Sequence, residues 1–300
     1  MAASMKKSLF SLLINFLRKS AGLEHNTISL SIGKISYLDN IGDTNTGKET
    51  LVLIHGLGAD KDTWVQLSKY LTKTYRVIIP DLPGHGESVQ SCSLDYSVEA
   101  QSGRIFELLQ NLNIKHAHFI GNSMGGAVAI RMAYMWPKIV SSLILIDSYG
   151  ATKTPSHIYI LANRLGSNPM LNINNKSDYK KMLSLAMVKP PYIPEWILDV
   201  LAENMSEKAA LNKKIYIDSE NSNDLTPILS NIIAPSLVIW GKEDKVLHVD
   251  NAEMFNQHLP NCTNVVLEKI GHAPMVECPK ITSEHILKFL DAGCENYEPI

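Results

Sequence analysis

The stretch Phe119-Ile120-Gly121-Asn122-Ser123-Met124-Gly125-Gly126 constrains this chain more than any other. It reads Gly-x-Ser-x-Gly between an apolar run and an Ala-rich segment. Ala117 to Ile120 has the pattern of a buried strand, and Ala127 to Ala133 that of a helix. A serine on so sharp a strand-to-helix turn has a strained backbone, and its Oγ is pushed out above the sheet edge. Gly121 and Gly125 are small where neighbouring backbone passes close to the turn.

The flanking segments supply the sheet. Thr27 to Ser31 alternates polar and apolar, Ile32-Gly33 punctuates it, and Ile35 to Leu38 follows, as in an antiparallel hairpin with one buried face. Asn40 to Glu49 is a polar loop with Gly42 and Gly47. Leu51 to Ile54 is a short continuous apolar run, the mark of a strand covered on both faces. Asp62 to Thr72 reads as a helix and Arg76 to Pro80 as a strand. Ser97 is the expected N-cap of a helix through Leu112, with Glu99 in its first turn. Ser142 to Ile146 is the next strand. From Tyr149 to about Pro227 helical segments appear without a buried strand, among prolines and asparagines. The rhythm resumes with strand Ser236 to Trp240, helix Val249 to Leu259, strand Asn264 to Leu267 and helix Thr282 to Leu290. The expectation is an α/β chain: a parallel sheet, helices on both faces, right-handed crossovers and one helical insertion.

Composition removes several function classes. A chain of 300 residues, 45% hydrophobic and 19% charged, can bury a sizeable core. Net charge is −2, with no block of like charge, so no nucleic-acid partner is expected. Cys92, Cys262, Cys278 and Cys294 are scattered with no CxxC pair, which argues against zinc or redox chemistry. They are expected to be free, mostly buried thiols.

Residues 1–22 read as an N-terminal amphipathic helix. Leu9, Leu12, Leu13 and Phe16 share one helical face, and Lys6, Lys7, Arg18 and Lys19 flank it. The apolar run is far short of the ~20 residues a spanning helix needs. Three readings stay open: membrane-surface association through residues 6–19, a helix docked on the domain or a second subunit, or an export signal. A cytoplasmic or membrane-associated location is favoured over secretion, since no small-x-small cleavage site follows the run.

A serine hydroxyl is a weak nucleophile at neutral pH and needs a base, itself oriented by a third group. Asp244 follows the strand Ser236 to Trp240 within Trp240-Gly241-Lys242-Glu243-Asp244. His272 follows the last strand within Ile270-Gly271-His272-Ala273-Pro274, where glycine and proline mark a loop. Each candidate falls after a different strand, at one sheet edge. Fixed N–H donors must also meet the charge that acyl transfer builds on the carbonyl oxygen. The backbone N–H of Met124 is one candidate. The second is Leu57, in the loop His55-Gly56-Leu57-Gly58-Ala59-Asp60, whose glycines admit close approach. His55 is expected to hold that loop rather than act as base. Asp147, at the end of a strand, is the alternative acid. Asp81 and His85 are read as structural, and Glu243 as pointing away. His116, His118, His248, His258 and His285 show no metal-ligand spacing, and neither metal nor cofactor is expected.

These motifs, with Asp81-Leu82-Pro83-Gly84-His85-Gly86-Glu87-Ser88, resemble the α/β-hydrolase superfamily from about residue 25 to the C-terminus. Gly121 to Gly126 and Val188 to Pro194 further resemble bacterial lipases and esterases and the monoacylglycerol-lipase branch. The resemblance implies the α/β-hydrolase fold: a mostly parallel eight-stranded sheet with helices on both faces. Residues 23–148 and 228–300 would form the core, and 149–227 a helical cap. It also implies a triad of Ser123, Asp244 and His272, supported by His55, Gly56, Gly121 and Gly125. The expected activity is hydrolysis of medium or long acyl esters or lipids. The Gly-Asn-Ser-Met-Gly-Gly motif also resembles carbon–carbon hydrolases of aromatic degradation, the alternative reading, and a non-enzymatic ligand receptor on the same fold is a third. Aspartate-nucleophile dehalogenases and epoxide hydrolases are disfavoured by serine at 123. The cap apolars, Met170, Met182 and Leu183 among them, would be cap core or acyl-pocket lining.

Overall fold

The structure is a computed structural model that describes residues 3–40, 47–220 and 224–292. Helix α1 (Ala3–Ser20) leads into a hairpin of β1 (Glu24–Leu30) and β2 (Gly33–Asp39). Next come β3 (Thr50–Ile54), a 3-10 turn (Lys61–Trp64), α2 (Val65–Leu71), β4 (Arg76–Pro80), α3 (Val98–Asn111), β5 (Ala117–Asn122), α4 (Met124–Met135) and β6 (Val140–Ile146). Five helices follow: α5 (His157–Leu165), α6 (Lys176–Ala186), α7 (Glu195–Glu207), α8 (Ala209–Glu220) and α9 (Thr226–Leu229). The chain then runs through β7 (Ser236–Gly241), α10 (Asn251–His258), β8 (Cys262–Leu267), α11 (Pro274–Glu277) and α12 (Pro279–Asp291).

The strands form one eight-stranded sheet in the order β1-β2-β4-β3-β5-β6-β7-β8. Only the β1–β2 and β2–β4 pairings are antiparallel; every pairing from β4 to β8 is parallel. The chain therefore has the mostly parallel eight-stranded sheet that the resemblance implied. The continuous apolar runs explain the burial. Every residue of β3, β5 and β7 is buried, because helices cover both faces. Alternate side chains feed two apolar layers. Val52, Phe119, Val238 and Phe255 lie in one, and Leu51, Ile120, Ile239 and Phe289 in the other. Such alternation ties helix packing on either face to strand register. Ser97 caps α3 as expected, its Oγ accepting from the Ala100 N–H at 3.2 Å.

Several expectations change. The helix expected over Asp62 to Thr72 is a 3-10 turn running into α2, because the Asp60 side chain accepts from the Asp62 N–H and tightens the first turn. The described cysteines are free, but Cys92 is exposed and Cys262 and Cys278 are half-buried, so the mostly buried thiols do not hold. Cys262 opens β8 and Cys278 follows α11, both at element ends rather than within the apolar layers. Cys294 and most of the Asn40 to Glu49 loop lie outside the described residues. Between residues 149 and 227 the described residues form helices and no strand.

Arg18 is the sharpest correction. Read from the sequence only as a basic residue flanking the apolar face, it is buried, and its guanidinium donates to both Asp62 oxygens at 2.6 Å and to Glu87 at 3.2 Å. A bidentate guanidinium–carboxylate pair fixes direction as well as distance. At the other end of α1, Lys6 pairs with Asp199 on α7 at 2.7 Å, and Lys7 with Glu203 at 3.2 Å. The first helix is thus fastened to the sheet's helical layer and to α7 together.

Candidate active site

The parallel strands place their carboxyl ends along one edge, and the loops that leave this edge carry the site. Ser123 stands between β5 and α4 at φ 55°, ψ −123°, a strained conformation for a side-chain-bearing residue. The turn is held from several sides. The Ser123 N–H donates to Ile146 O at 3.2 Å, and its carbonyl accepts from Gly126 N at 2.9 Å and Tyr149 N at 3.0 Å. The two glycines are steric requirements. A Cβ on Gly125 would run into the carbonyls of Ile54 and His55, and one on Gly121 into the backbone of Gly125.

Behind β8, His272 Nδ1 lies 2.7 Å from Asp244 Oδ2, and both residues are buried. The other Asp244 oxygen accepts from Val246 N at 2.7 Å and Leu247 N at 3.0 Å. Three donors therefore converge on Asp244, the surroundings of an ionised carboxylate. A proton fixed on Nδ1 leaves Nε2 as the acceptor nitrogen. Ser123 and His272 line the same cavity.

The loop after β3 abuts the serine: a Cβ on Gly56 would lie 3.1 Å from Ser123 Cβ. Leu57 also lines the cavity. Met124 is the first residue of α4, so its N–H has no intrahelical partner and is free to meet an anion. His55 lies behind this loop. Its Nδ1 contacts Gly56 O at 2.9 Å, and its Nε2 accepts from Leu82 N at 3.0 Å. Burial holds its pKa below the ordinary histidine range, so the ring is a neutral brace. Asp81 accepts from Lys61 N, Lys61 Nζ and Glu87 N at 2.8, 2.6 and 2.8 Å, and so braces a turn. Glu243 turns its carboxylate to Ile270 N at 3.0 Å.

Two further residues join the parts, and sequence reasoning missed both. Asn122 donates through Nδ2 to Ile146 O at 3.0 Å and to His272 O at 3.1 Å, linking the serine turn to the histidine loop. Glu277 accepts from Gly271 N at 2.8 Å with one oxygen. With the other it accepts from Val188 N and Lys189 N at 2.8 and 3.0 Å. The His272 N–H donates to Ala186 O at 2.7 Å. The end of α6 is therefore stitched to the histidine loop. Asn122 offered a signal in its place beside the serine; Glu277 offered none.

The cavity above Ser123 holds about 850 Å³. Its roof includes Met170, Met182, Leu183, Met187, Leu201 and Met205, and α1 adds Phe10 and Ile14. Ile158 and Ile197 are instead buried in the helical layer, and Leu165 is exposed. Unbranched, polarisable methionines suit a flexible apolar ligand. On its other side α1 leaves Leu9, Leu12 and Phe16 exposed, the last two at 67% and 68%.

The sequence profile of the alpha/beta hydrolase family matches residues 51–284. Lipase 3 of Moraxella sp. (strain TA144) is 35% identical over 283 residues, covering 93% of this chain and 88% of the relative. Human monoacylglycerol lipase ABHD6 is 31% identical over 254 residues, covering 81% and 75%. Among solved structures, a membrane phospholipase A described as a bacterial virulence factor superposes with a TM-score of 0.92 at 34% identity, covering 98% of this chain and 93% of that one. The serine turn, the sheet order and the profile over most of the sheet agree: this chain belongs to the alpha/beta hydrolase family.

Proposed function

We propose that this protein is a serine lipase or esterase that cleaves esters of medium or long acyl chains through an acyl-enzyme on Ser123. The observation that carries the reading is that Ser123 and His272, the latter held from behind by Asp244, line one methionine-rich cavity. His272 Nε2 takes the Ser123 proton as Oγ attacks the ester carbonyl. Asp244 holds Nδ1–H and stabilises the imidazolium that forms. The N–H groups of Leu57 and Met124 receive the developing oxyanion, each supplying a few kcal/mol of transition-state stabilisation. His272 returns its proton to the departing alcohol, then activates water to release the fatty acid. Residues 149–227 act as the cap over this chemistry, and no step calls for a metal or a cofactor.

The named activities of the relatives support a lipid or acyl-ester substrate. Association with a membrane surface is supported by the exposed Leu9, Leu12 and Phe16 and by the relative described as a membrane phospholipase. No described helix is long and apolar enough to cross a membrane. The test is hydrolysis of p-nitrophenyl esters and monoacylglycerols across chain lengths. Ser123→Ala should lower kcat by about ten-thousand-fold or more and lose labelling by a fluorophosphonate probe. An alanine variant as active as the native enzyme would overturn the mechanism.

A further inference from the structure

Asp147 is a second carboxyl group at the site, and nothing in the mechanism above employs it. It follows directly on β6, beside β7, the strand that Asp244 follows. The side chain is fully buried, and its backbone has φ 44°, in the left-handed region. Its N–H donates to Ile239 O at 2.9 Å, and its Oδ1 accepts from Gly241 N at 2.9 Å. Its Oδ2 is buried and receives no hydrogen bond. One side-chain atom from each of Asp147, Asp244 and His272 lies within 4.8 Å of the other two.

Two carboxylates this close in a buried site cannot both be ionised. Asp244 receives three donors and Asp147 receives one, so the negative charge belongs on Asp244. We infer that Asp147 is held as a neutral carboxylic acid whose Oδ2–H donates to Asp244, making it a positioning residue for the Asp244–His272 pair. This rests on the proposed triad. The orphaned Oδ2 then carries the proton instead of lacking a donor. The surroundings agree: burial first, then the Asp244 charge, raise the Asp147 carboxyl well above the ordinary range. Glu277 on α11 adds to this, and the Gly241 N–H opposes it. His272 is the remaining titratable group in the cluster.

The arrangement gives Asp244 a fourth donor that brings no charge of its own. It also keeps a carboxyl group in reserve. Losing the Asp244 charge removes the second-largest cause that keeps Asp147 protonated and leaves a carboxyl group within reach of His272.

The deciding variant is Asp147→Asn, which keeps the shape and a donor but cannot ionise. Its kcat should stay within about threefold of the native value with the acidic limb of the pH profile in place, whereas Asp147→Ala should lose about tenfold in kcat with KM unchanged. A second readout is independent of catalysis. Native protein must keep a proton that the unfolded chain releases near pH ~3.9, so this group's contribution to stability falls as pH rises above that value. The melting temperature of Asp147→Asn should therefore gain on the native protein between about pH 5 and about pH 8. Asp147→Ser, a smaller neutral donor, supplies the same comparison if the asparagine variant does not fold. Asp244→Asn should also be about tenfold more active than Asp147→Asn/Asp244→Asn. A gap in melting temperature that is flat with pH, an asparagine variant as inactive as Asp244→Asn, or equal activity of the last two variants would overturn the inference. An active Ser123→Ala would instead sink the triad while leaving the melting comparison intact.

Discussion

At the scale of single residues, the site is built by the exclusion of atoms as much as by their placement. Gly125 lies so near the Ile54 carbonyl that one added methyl group must move backbone, which a packed sheet edge resists. Gly125→Ala should cost about 2–4 kcal/mol in denaturant unfolding and weaken probe labelling at Ser123. Glu277 works the other way, by gathering three backbone N–H groups onto one carboxylate. Glu277→Gln puts an NH2 where an acceptor is needed. A kcat about tenfold lower and a loss of about 1–3 kcal/mol are expected, read from esterase kinetics and melting curves. Ser123, Asp244 and His272 were legible because each follows an apolar strand and is punctuated by glycine or proline. The partners of Asn122 and Glu277 were not, although Asn122 was marked by its place beside the serine. Their bonds join segments up to 150 residues apart, and no local pattern encodes a partner at that distance.

At the scale of elements, α1 shows what periodicity reveals and what it hides. The apolar face was readable, and Leu9, Leu12 and Phe16 are exposed on it. That the same helix has a second apolar side, with Phe10 and Ile14 walling the cavity, was not. Nor was the burial of Arg18, because its partners Asp62 and Glu87 lie 44 and 69 residues away along the chain. The two sides separate experimentally. Leu12→Glu/Phe16→Glu should reduce co-sedimentation with anionic vesicles by about tenfold while leaving hydrolysis of a soluble short-chain ester unchanged. Ile14→Trp should leave vesicle binding alone and shift the preferred ester to shorter acyl chains, since it fills the cavity wall. The reverse pattern in either variant would mean that the two sides have been misassigned.

At the scale of the whole molecule, the alternation of strands and helices was legible, whereas the order β2-β4-β3-β5 was not. Pairing across crossovers is chosen by the packing of whole layers, and no single segment records it. Layer packing also sets the acid limit of the fold. His55 and His85 are buried with ring centroids 4.9 Å apart, and burial lowers the pKa of both, with His55 a further lowering influence on His85. Their folded-state pKa values lie below the unfolded value, so the stability they contribute is present above pH ~6.5 and is lost as pH falls below it. The melting temperature of His85→Gln should therefore gain on that of the native protein as pH falls from about 6.5 to about 5.

The bond from His272 N to Ala186 O, reinforced by Glu277, has a kinetic meaning as well. A roof sewn to the proposed base would, on lifting, draw that base away from Ser123, so that loading and turnover would alternate in time and water entering under a raised roof would meet a serine without a proton acceptor.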